Sequence, residues 1–162
     1  MRMKQLFQIF ALTLTLLTIS CGGNDKQKTQ QIPDTIETKS LADTTKSFIS
    51  FWQTLRKAIV DNDTNTIIAS TTFPFKTRGP MDSDPTIKYN RKEFIKVFSA
   101  FLKQSYNLET EIEDIMKTER PDTTYINNVW ARVGDLEFSK SNGMWKLTFA
   151  YLTPDLIEEL KR

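Results

Sequence analysis

Apolar residues recur at three- and four-residue spacing in two parts of the chain, which predicts two amphipathic helices. The first is predicted over residues 43–61, with Asp43 or Thr44 placed to cap its start. Its apolar face consists of Phe48, Phe51, Trp52, Leu55, Ala58 and Ile59. The second begins after Asn90, a typical capping residue. Its apolar face consists of Phe94, Val97, Phe98, Phe101 and Leu102.

The patterns around these two helices are shorter. Residues 64–72 indicate a short helix that Pro74 ends, because the residue before a proline is pushed towards extended geometry. A strand is predicted to begin at this proline, and residues 86–89 predict another. Residues 108–117 suit either a helix or a strand, and we favour a strand.

Two β-rich runs, residues 128–138 and 144–152, are joined through Asn142-Gly143. Asn-Gly is a strong signal for a hairpin turn because both residues tolerate a positive φ. The pair therefore predicts a long antiparallel hairpin, and residues 155–161 predict a last helical turn.

The facing of the hairpin residues follows from their alternation. In the second run the predicted inward face consists of Trp145, Leu147, Phe149 and Tyr151. In the first run the predicted inward positions are odd-numbered up to Val133 and even-numbered from Leu136 on, so the alternation shifts by one residue at Gly134-Asp135. A β-bulge there would keep both halves of the run facing the core.

A further apolar run, residues 6–19, follows Arg2 and Lys4. It is shorter than the roughly 20 apolar residues of a membrane-spanning helix, so it predicts a signal peptide over residues 1–20. The end of this segment, Leu17-Thr18-Ile19-Ser20-Cys21, resembles the bacterial lipobox. The resemblance implies cleavage before Cys21 and acylation of its sulfur. The alternative is an ordinary signal peptidase that reads Thr18 and Ser20.

Cys21 is the only cysteine, and an unpaired thiol in an oxidising compartment would be reactive, which favours lipidation. We therefore expect a protein of the cell envelope whose membrane contact is the lipid anchor at Cys21. Gly22 is not the aspartate that resembles an inner-membrane retention signal. In a Gram-negative source we expect the outer membrane.

The chain after the anchor divides into two parts. Residues 21–42 are mostly polar and predict a disordered tether, and residues 43–162 form a single domain of ordinary size. Two of the 22 Lys and Arg residues belong to the signal peptide, so the mature chain has 20 against 20 Asp and Glu. No excess of positive charge supports nucleic-acid binding.

Three short segments resemble the Asp-Ser/Thr-aliphatic/Thr acceptor of periplasmic O-glycosylation. They are Asp34-Thr35-Ile36, Asp43-Thr44-Thr45 and Asp122-Thr123-Thr124. Thr35 in the tether is the preferred site, since Thr44 also suits a helix cap and the third segment also suits a turn.

Helices followed by a sheet that ends in a hairpin predict an α+β fold, with N-terminal helices packed on a curved antiparallel sheet. This order resembles the nuclear-transport-factor-2-like, or cystatin-like, cone. Three features carry the resemblance: the helix over residues 43–61, the break at Phe73-Pro74-Phe75 and the Gly-x-Trp-Lys pattern at residues 143–146. The resemblance implies a domain that serves isomerases, dehydratases, small-molecule binders and oligomerisation modules alike.

The chain has no histidine, and its only cysteine is the expected lipidation site. This composition removes the usual general base, the soft metal ligands and a thiol nucleophile, so we predict no metal site and no cofactor. The Asp82-Ser83-Asp84 stretch lacks the glycine and glutamate of a calcium loop and is interpreted as a solvated loop.

An enzyme of this fold that works without a metal would need a carboxylate base and a second acid or tyrosine. The carboxylate candidates are Glu111, Glu113 and Asp114. The tyrosine candidates are Tyr89, Tyr125 and Tyr151. We favour the simpler interpretation, in which these carboxylates form one exposed face of their element, and we assign no catalytic residue.

Trp130 and Arg132 alternate with Val129, Ala131 and Val133, so they are predicted on the outer face of the sheet. An aromatic residue beside an arginine suits contact with a protein partner. The alternative is that the arginine stem only packs on a surface indole.

These features favour a noncatalytic envelope lipoprotein that binds a protein partner or a small ligand. The alternative is a metal-independent isomerase or lyase that uses a carboxylate in the cone pocket. A purely structural envelope protein is a third class.

Overall fold

The computed structural model describes residues 34–106 and 108–161. The predicted signal peptide, Cys21 and residues 22–33 of the predicted tether lie outside the described residues. Within those ranges the helices are α1 (Asp34–Val60), α2 (Thr64–Ala69), α3 (Arg91–Phe101), α4 (Glu111–Lys117) and α5 (Pro154–Leu160). The strands are β1 (Thr71–Arg78), β2 (Ile87–Tyr89), β3 (Ser105–Tyr106), β4 (Glu109–Thr110), β5 (Trp130–Val133), β6 (Leu136–Ser141) and β7 (Met144–Tyr151).

Five strands form one sheet in the order β2-β1-β7-β6-β5, and β3 pairs with β4. The predicted α+β class is confirmed, but the sheet is mixed and not wholly antiparallel. β1 runs parallel to β7, whereas the other neighbours in the sheet pair antiparallel. The chain passes through α3 and α4 between β1 and β7, so no tight turn forces these strands to run in opposite directions.

Helix α1 begins at Asp34, nine residues before the predicted start. Its first nine residues were assigned to the disordered tether, and that assignment is corrected here. The sequence from Asp34 to Val60 contains neither glycine nor proline, so a helix nucleated on the apolar face can extend towards the N-terminus. No helix of residues 34–106 and 108–161 has both the length and the apolarity needed to cross a membrane.

The longer α1 changes the interpretation of Thr44. This residue lies inside the helix and is 6% exposed, so it neither caps the helix nor offers its hydroxyl to a glycosyltransferase. Thr123 lies in a short 3₁₀ turn, where Asp122 accepts a hydrogen bond from the Thr124 N–H at 2.9 Å. The turn interpretation of that segment is confirmed.

Two local predictions are confirmed by backbone geometry. The Asn90 side chain accepts hydrogen bonds from the N–H groups of Lys92 and Glu93, and the Glu93 carboxylate accepts one from the Asn90 N–H at 2.8 Å. This capping box starts α3. Asn142 and Gly143, with φ of 51° and 77°, form the turn between β6 and β7.

Residues 108–117 do not form the strand that we favoured. Only Glu109 and Thr110 are extended, and α4 follows at once. The Thr110 N–H and hydroxyl both donate to the Glu113 carboxylate, at 2.7 and 2.8 Å. A threonine followed three residues later by glutamate is a helix-start signature. This signature outweighs the weak strand-like alternation at the start of residues 108–117.

Gly134-Asp135 is a two-residue turn between β5 and β6, so the β-bulge predicted there is wrong. Gly134 has a φ of 53°, which suits the first central position of such a turn. Val133 pairs with Leu136 across the ladder. Because directly opposed residues point to the same face, both face the core, and this explains the shift of parity.

A bulge does occur in this sheet, but it lies in β7 at Thr148. Glu137 pairs with Phe149, whereas the next residue, Phe138, pairs with Leu147. One step along β6 thus corresponds to two steps along β7. The side chains of β7 after Thr148 therefore point to the opposite faces from those that simple alternation predicts.

The bulge moves two aromatic residues out of the core. Ala150 and Leu152 are buried, whereas Phe149 and Tyr151 are half-buried on the outer face. Their rings meet edge to face with centroids 5.0 Å apart. The inward facing predicted for Phe149 and Tyr151 is therefore wrong.

The helices pack on the opposite face of the sheet around an aromatic core. Phe48 of α1 contacts Phe138 and Trp145 edge to face, with centroids 5.2 and 4.9 Å apart. Phe94 of α3 contacts Phe75 of β1 in the same way, at 5.0 Å. These rings are almost fully buried, so large side chains fill the space between α1, α3 and the sheet.

Candidate functional site

Trp130 and Arg132, which were predicted as an interaction surface, lie on the outer face of β5. Ala131 and Val133, which alternate with them, are buried in the core, whereas Val129, which was predicted on the same inward face, precedes β5 and is 62% exposed. Trp130 and Arg132 themselves are half-buried. Their predicted facing is confirmed, and their role in binding stays a prediction.

Arg132 contacts the β5–β6 turn and the end of β7. Its Nε donates to the Gly134 carbonyl at 2.9 Å, and one Nη contacts Asp135 Oδ1 at 3.4 Å. Its guanidinium carbon lies 4.7 Å from the centre of the Tyr151 ring. The sequence interpretation placed Arg132 beside Trp130, whereas the ring that its guanidinium faces is that of Tyr151.

Arg78 approaches the same ring from the neighbouring strand. The parallel ladder pairs Arg78, the last residue of β1, with Tyr151, the last residue of β7. The Arg78 guanidinium carbon lies 5.5 Å from the ring centre, and one Nη donates to Asp82 Oδ1 at 3.0 Å. The Arg78 Nε is buried and has no hydrogen-bond partner among the described residues. Two guanidiniums therefore converge on one tyrosine.

These groups surround a pocket of about 370 Å³ at the ends of β1 and β7, which we call the arginine pocket. It is lined by Arg78, Pro80, Asp82, Arg132, Asp135, Tyr151 and Leu152. Pockets that hold small molecules begin at roughly 300 Å³. The arginine pocket is thus large enough for a small polar molecule.

The hydroxyl of Tyr151 is occupied by a hydrogen bond to Glu137. It donates to Glu137 Oε1 at 2.9 Å. Burial, together with the nearby Glu137 carboxylate, raises the pKa of Tyr151 above its usual value. The phenol therefore stays protonated at neutral pH, and its ring contacts both guanidiniums.

Glu111 lies beneath the β5–β6 turn and is only 8% exposed. Gln104 Nε2 contacts its Oε1 at 3.4 Å and also donates to the Tyr151 carbonyl at 3.0 Å. Burial and the charge of Asp135 raise the pKa of Glu111 to about 7, although the Gln104 contact opposes the shift. Asp135 thus lies between this buried acid, whose pKa is raised, and the wall of the arginine pocket.

The other candidate acids and tyrosines do not join Glu111. Glu113 is exposed and caps α4, and Asp114 is exposed on the same helix. Tyr89 belongs to β2, and Tyr125 is 54% exposed in the 3₁₀ turn. The single exposed acidic face that we favoured is wrong for Glu111, which is buried.

Sequence reasoning missed Arg78, Asp135 and the outward facing of Tyr151. Arg78 meets Tyr151 through the parallel pairing of β1 with β7, and Tyr151 faces outward because of the bulge at Thr148. The sequence carries no local signal for either feature. A signal for the turn at Asp135 does exist, because Gly-Asp between two strands is typical of a hairpin.

A second, larger groove lies along the N-terminal half of α1. It is lined by Leu41, Ala42, Thr45, Lys46, Ile49, Ser50, Arg120, Thr123 and Ile126. Its two charged lining residues, Lys46 and Arg120, are both cations, whereas the arginine pocket contains two ion pairs of opposite charges. The arginine pocket is therefore the stronger candidate for specific recognition.

Comparison with protein-family models, with curated proteins and with solved structures finds no match to this chain.

Proposed function

We propose that this protein is a lipid-anchored lipoprotein of the cell envelope whose domain is a noncatalytic binding module. The observation that carries the proposal is the convergence of Arg78 and Arg132 on Tyr151 at the mouth of a pocket. The resemblance of the element order to the nuclear-transport-factor-2-like cone agrees with a binding role. That fold presents ligand and partner surfaces in many settings.

The Arg78–Asp82 pair contributes little to stability. Asp82, the partner of Arg78, has a fully exposed side chain, and exposed ion pairs contribute about 0 to 1 kcal/mol. A guanidinium carries five N–H donors, yet Arg78 makes a single hydrogen bond to the described residues. Its Nε is buried, but the Nη donors that Asp82 does not use are available to an incoming acceptor.

The binding proposal is tested by capture from native envelope. Acylated full-length protein serves as bait in a detergent-solubilised envelope extract, and mass spectrometry quantifies the proteins and small molecules retained. We expect Arg132→Gln to reduce the specific signal by at least about tenfold, since loss of one partner of a charged contact is expensive.

Lys88→Gln is the matched control for this capture experiment. Lys88 is an exposed cation of β2 and pairs in register with Lys76 on the outer face of the same sheet, outside the pocket lining. Capture by this variant should equal that of the unmodified protein. Equal capture by all three proteins would refute the assignment of binding to the arginine pocket.

Membrane attachment is assigned to Cys21, and Cys21→Ser is expected to abolish fatty-acid labelling and membrane retention. The reason is the resemblance of Leu17-Thr18-Ile19-Ser20-Cys21 to the lipobox. Labelling with a clickable fatty acid, followed by fractionation of the envelope, measures both effects. Unchanged labelling of the serine variant would contradict the assignment.

Thr18→Leu separates the two cleavage models. Leucine three places before the cysteine improves the resemblance to a lipobox, so labelling should persist or increase. An ordinary signal peptidase would lose its small residue at that place, and cleavage would fail.

Glu111 supports a second candidate, an isomerase or lyase that works without a metal. A carboxyl group with a pKa of about 7 can exchange a proton at neutral pH, and Asp135 connects it to the pocket wall. Protein-dependent incorporation of deuterium into carbon positions of captured molecules, lost in Glu111→Gln, would identify this activity. The binding module remains the leading proposal because Glu111 is not part of the pocket lining.

A further inference from the structure

The charges that line the arginine pocket are balanced. Arg78 and Arg132 supply two cations, and Asp82 and Asp135 supply two anions. They already form two pairs, with N–O distances of 3.0 Å for Arg78–Asp82 and 3.4 Å for Arg132–Asp135. The described pocket is therefore neither an anion site nor a cation site in net charge.

This balance discriminates among ligands. A simple anion would draw the guanidiniums away and leave the Asp82 and Asp135 carboxylates facing it without a partner. A simple cation would do the same to the two guanidiniums. Asp82 is fully exposed and would lose little, whereas the side chains of Asp135, Arg78 and Arg132 are only 24, 24 and 39% exposed. Leaving a partly buried charge unpaired is costly, so an anion would be opposed by Asp135 and a cation by the two arginines.

We propose that the arginine pocket binds a small zwitterion, of the size of an amino acid or a dipeptide. Its carboxylate contacts the guanidiniums of Arg78 and Arg132, and its ammonium group contacts the carboxylates of Asp135 and Asp82. Each ion pair that opens is replaced by one that forms. This inference rests on the proposed binding function and adds the chemical class of the ligand.

Size and position agree with such a ligand. Arg78 and Arg132 both line this one pocket, and both guanidinium carbons lie within 5.5 Å of the Tyr151 ring centre, so a molecule held in the pocket lies near both. The pocket volume of about 370 Å³ is at the lower end of the range for small-molecule sites. The Asp82 side chain is fully exposed, so exchange of its partner opposes binding very little.

The test uses full-length protein and three matched sets of probes. The first set contains the twenty amino acids and their alanyl dipeptides, the second their N-acetylated forms and the third their carboxamides. Each probe is added at about 5 mM and the midpoint of thermal unfolding is recorded, because a ligand that binds only the folded state raises it. Calorimetry then gives the affinity of the best probe.

We expect at least one zwitterion to raise the midpoint, and its acetylated and amidated forms to bind at least about tenfold more weakly. Arg132→Gln and Asp135→Asn should each weaken binding by a similar factor, whereas Lys88→Gln should not. The unfolding midpoint of each unliganded variant verifies that it is folded. Either of the two pocket variants suffices if the other fails to fold.

Two results would overturn the inference. One is equal binding of the zwitterion and of its acetylated form, which would make the pocket a plain anion site. The other is a panel without any binder. If envelope capture still depends on Arg132 in that case, the binding function stands and only the ligand class is wrong.

Discussion

Replacement of Trp145 by alanine is expected to lower the free energy of unfolding by about 3 to 5 kcal/mol, the usual cost of emptying a buried aromatic site. Trp145 is 4% exposed, and its ring meets Phe48 edge to face at 4.9 Å. Its indole N–H also donates to the Ser47 hydroxyl at 3.1 Å. The substitution therefore removes packing and a hydrogen bond between β7 and α1. Chemical denaturation followed by circular dichroism measures the effect.

Lys146→Ala is the control for this experiment. Lys146 is the next residue along β7, and it is half-buried on the outer face. Its ammonium group contacts the Ala69 carbonyl at the surface, so its loss should change stability by no more than about 1 kcal/mol. Equal, small shifts of the two denaturation midpoints would contradict the facing of this strand.

Replacement of Glu111 by glutamine is expected to raise the free energy of unfolding at pH 8 by about 1 to 3 kcal/mol, given about 1.4 kcal/mol for each pKa unit. The pKa of Glu111 is about 7 in the folded protein, raised from 4.5 chiefly by burial. Between these values the folded state holds a proton that the unfolded state has released. The stabilising contribution of Glu111 is thus complete below pH 4.5 and is lost as the pH rises through 7.

Glutamine at position 111 stays neutral and can still accept from Gln104, so the variant should not lose stability over that interval. The measurement is a series of denaturation curves from pH 4 to 9 for both proteins. Glu159→Gln, which removes an exposed carboxylate of α5, is the control. Parallel stability curves for the unmodified protein and Glu111→Gln would show that Glu111 is already ionised in the fold.

Local signals predicted the elements well where one residue pattern dominated. The Asn90 cap, the Asn142-Gly143 turn and the aromatic face of α1 follow from the chemistry of a few adjacent residues. Two such signals were available but misread. Thr110 with Glu113 marks the start of α4, and Gly134-Asp135 marks a hairpin turn and not a bulge.

The site itself depended on features that no local pattern encodes. Tyr151 faces outward because one residue of β7 is extra relative to β6, and alternation counted along β7 alone cannot reveal this. Arg78 reaches Tyr151 because β1 lies parallel to β7, a pairing between residues about 70 positions apart. Of the pocket lining, the sequence could therefore predict the position of Arg132 but not the groups around it.

The order of the strands also bears on how copies of this domain behave at high concentration. The two edges of the main sheet are its shortest strands, β2 with three residues and β5 with four. The free side of β5 is partly covered, since Ile126 bridges to Ala131 and the Asn127 N–H donates to the Trp130 carbonyl at 2.8 Å. Long exposed edges template aggregation through strand pairing. Short, covered edges let neighbouring copies crowd together without joining their sheets.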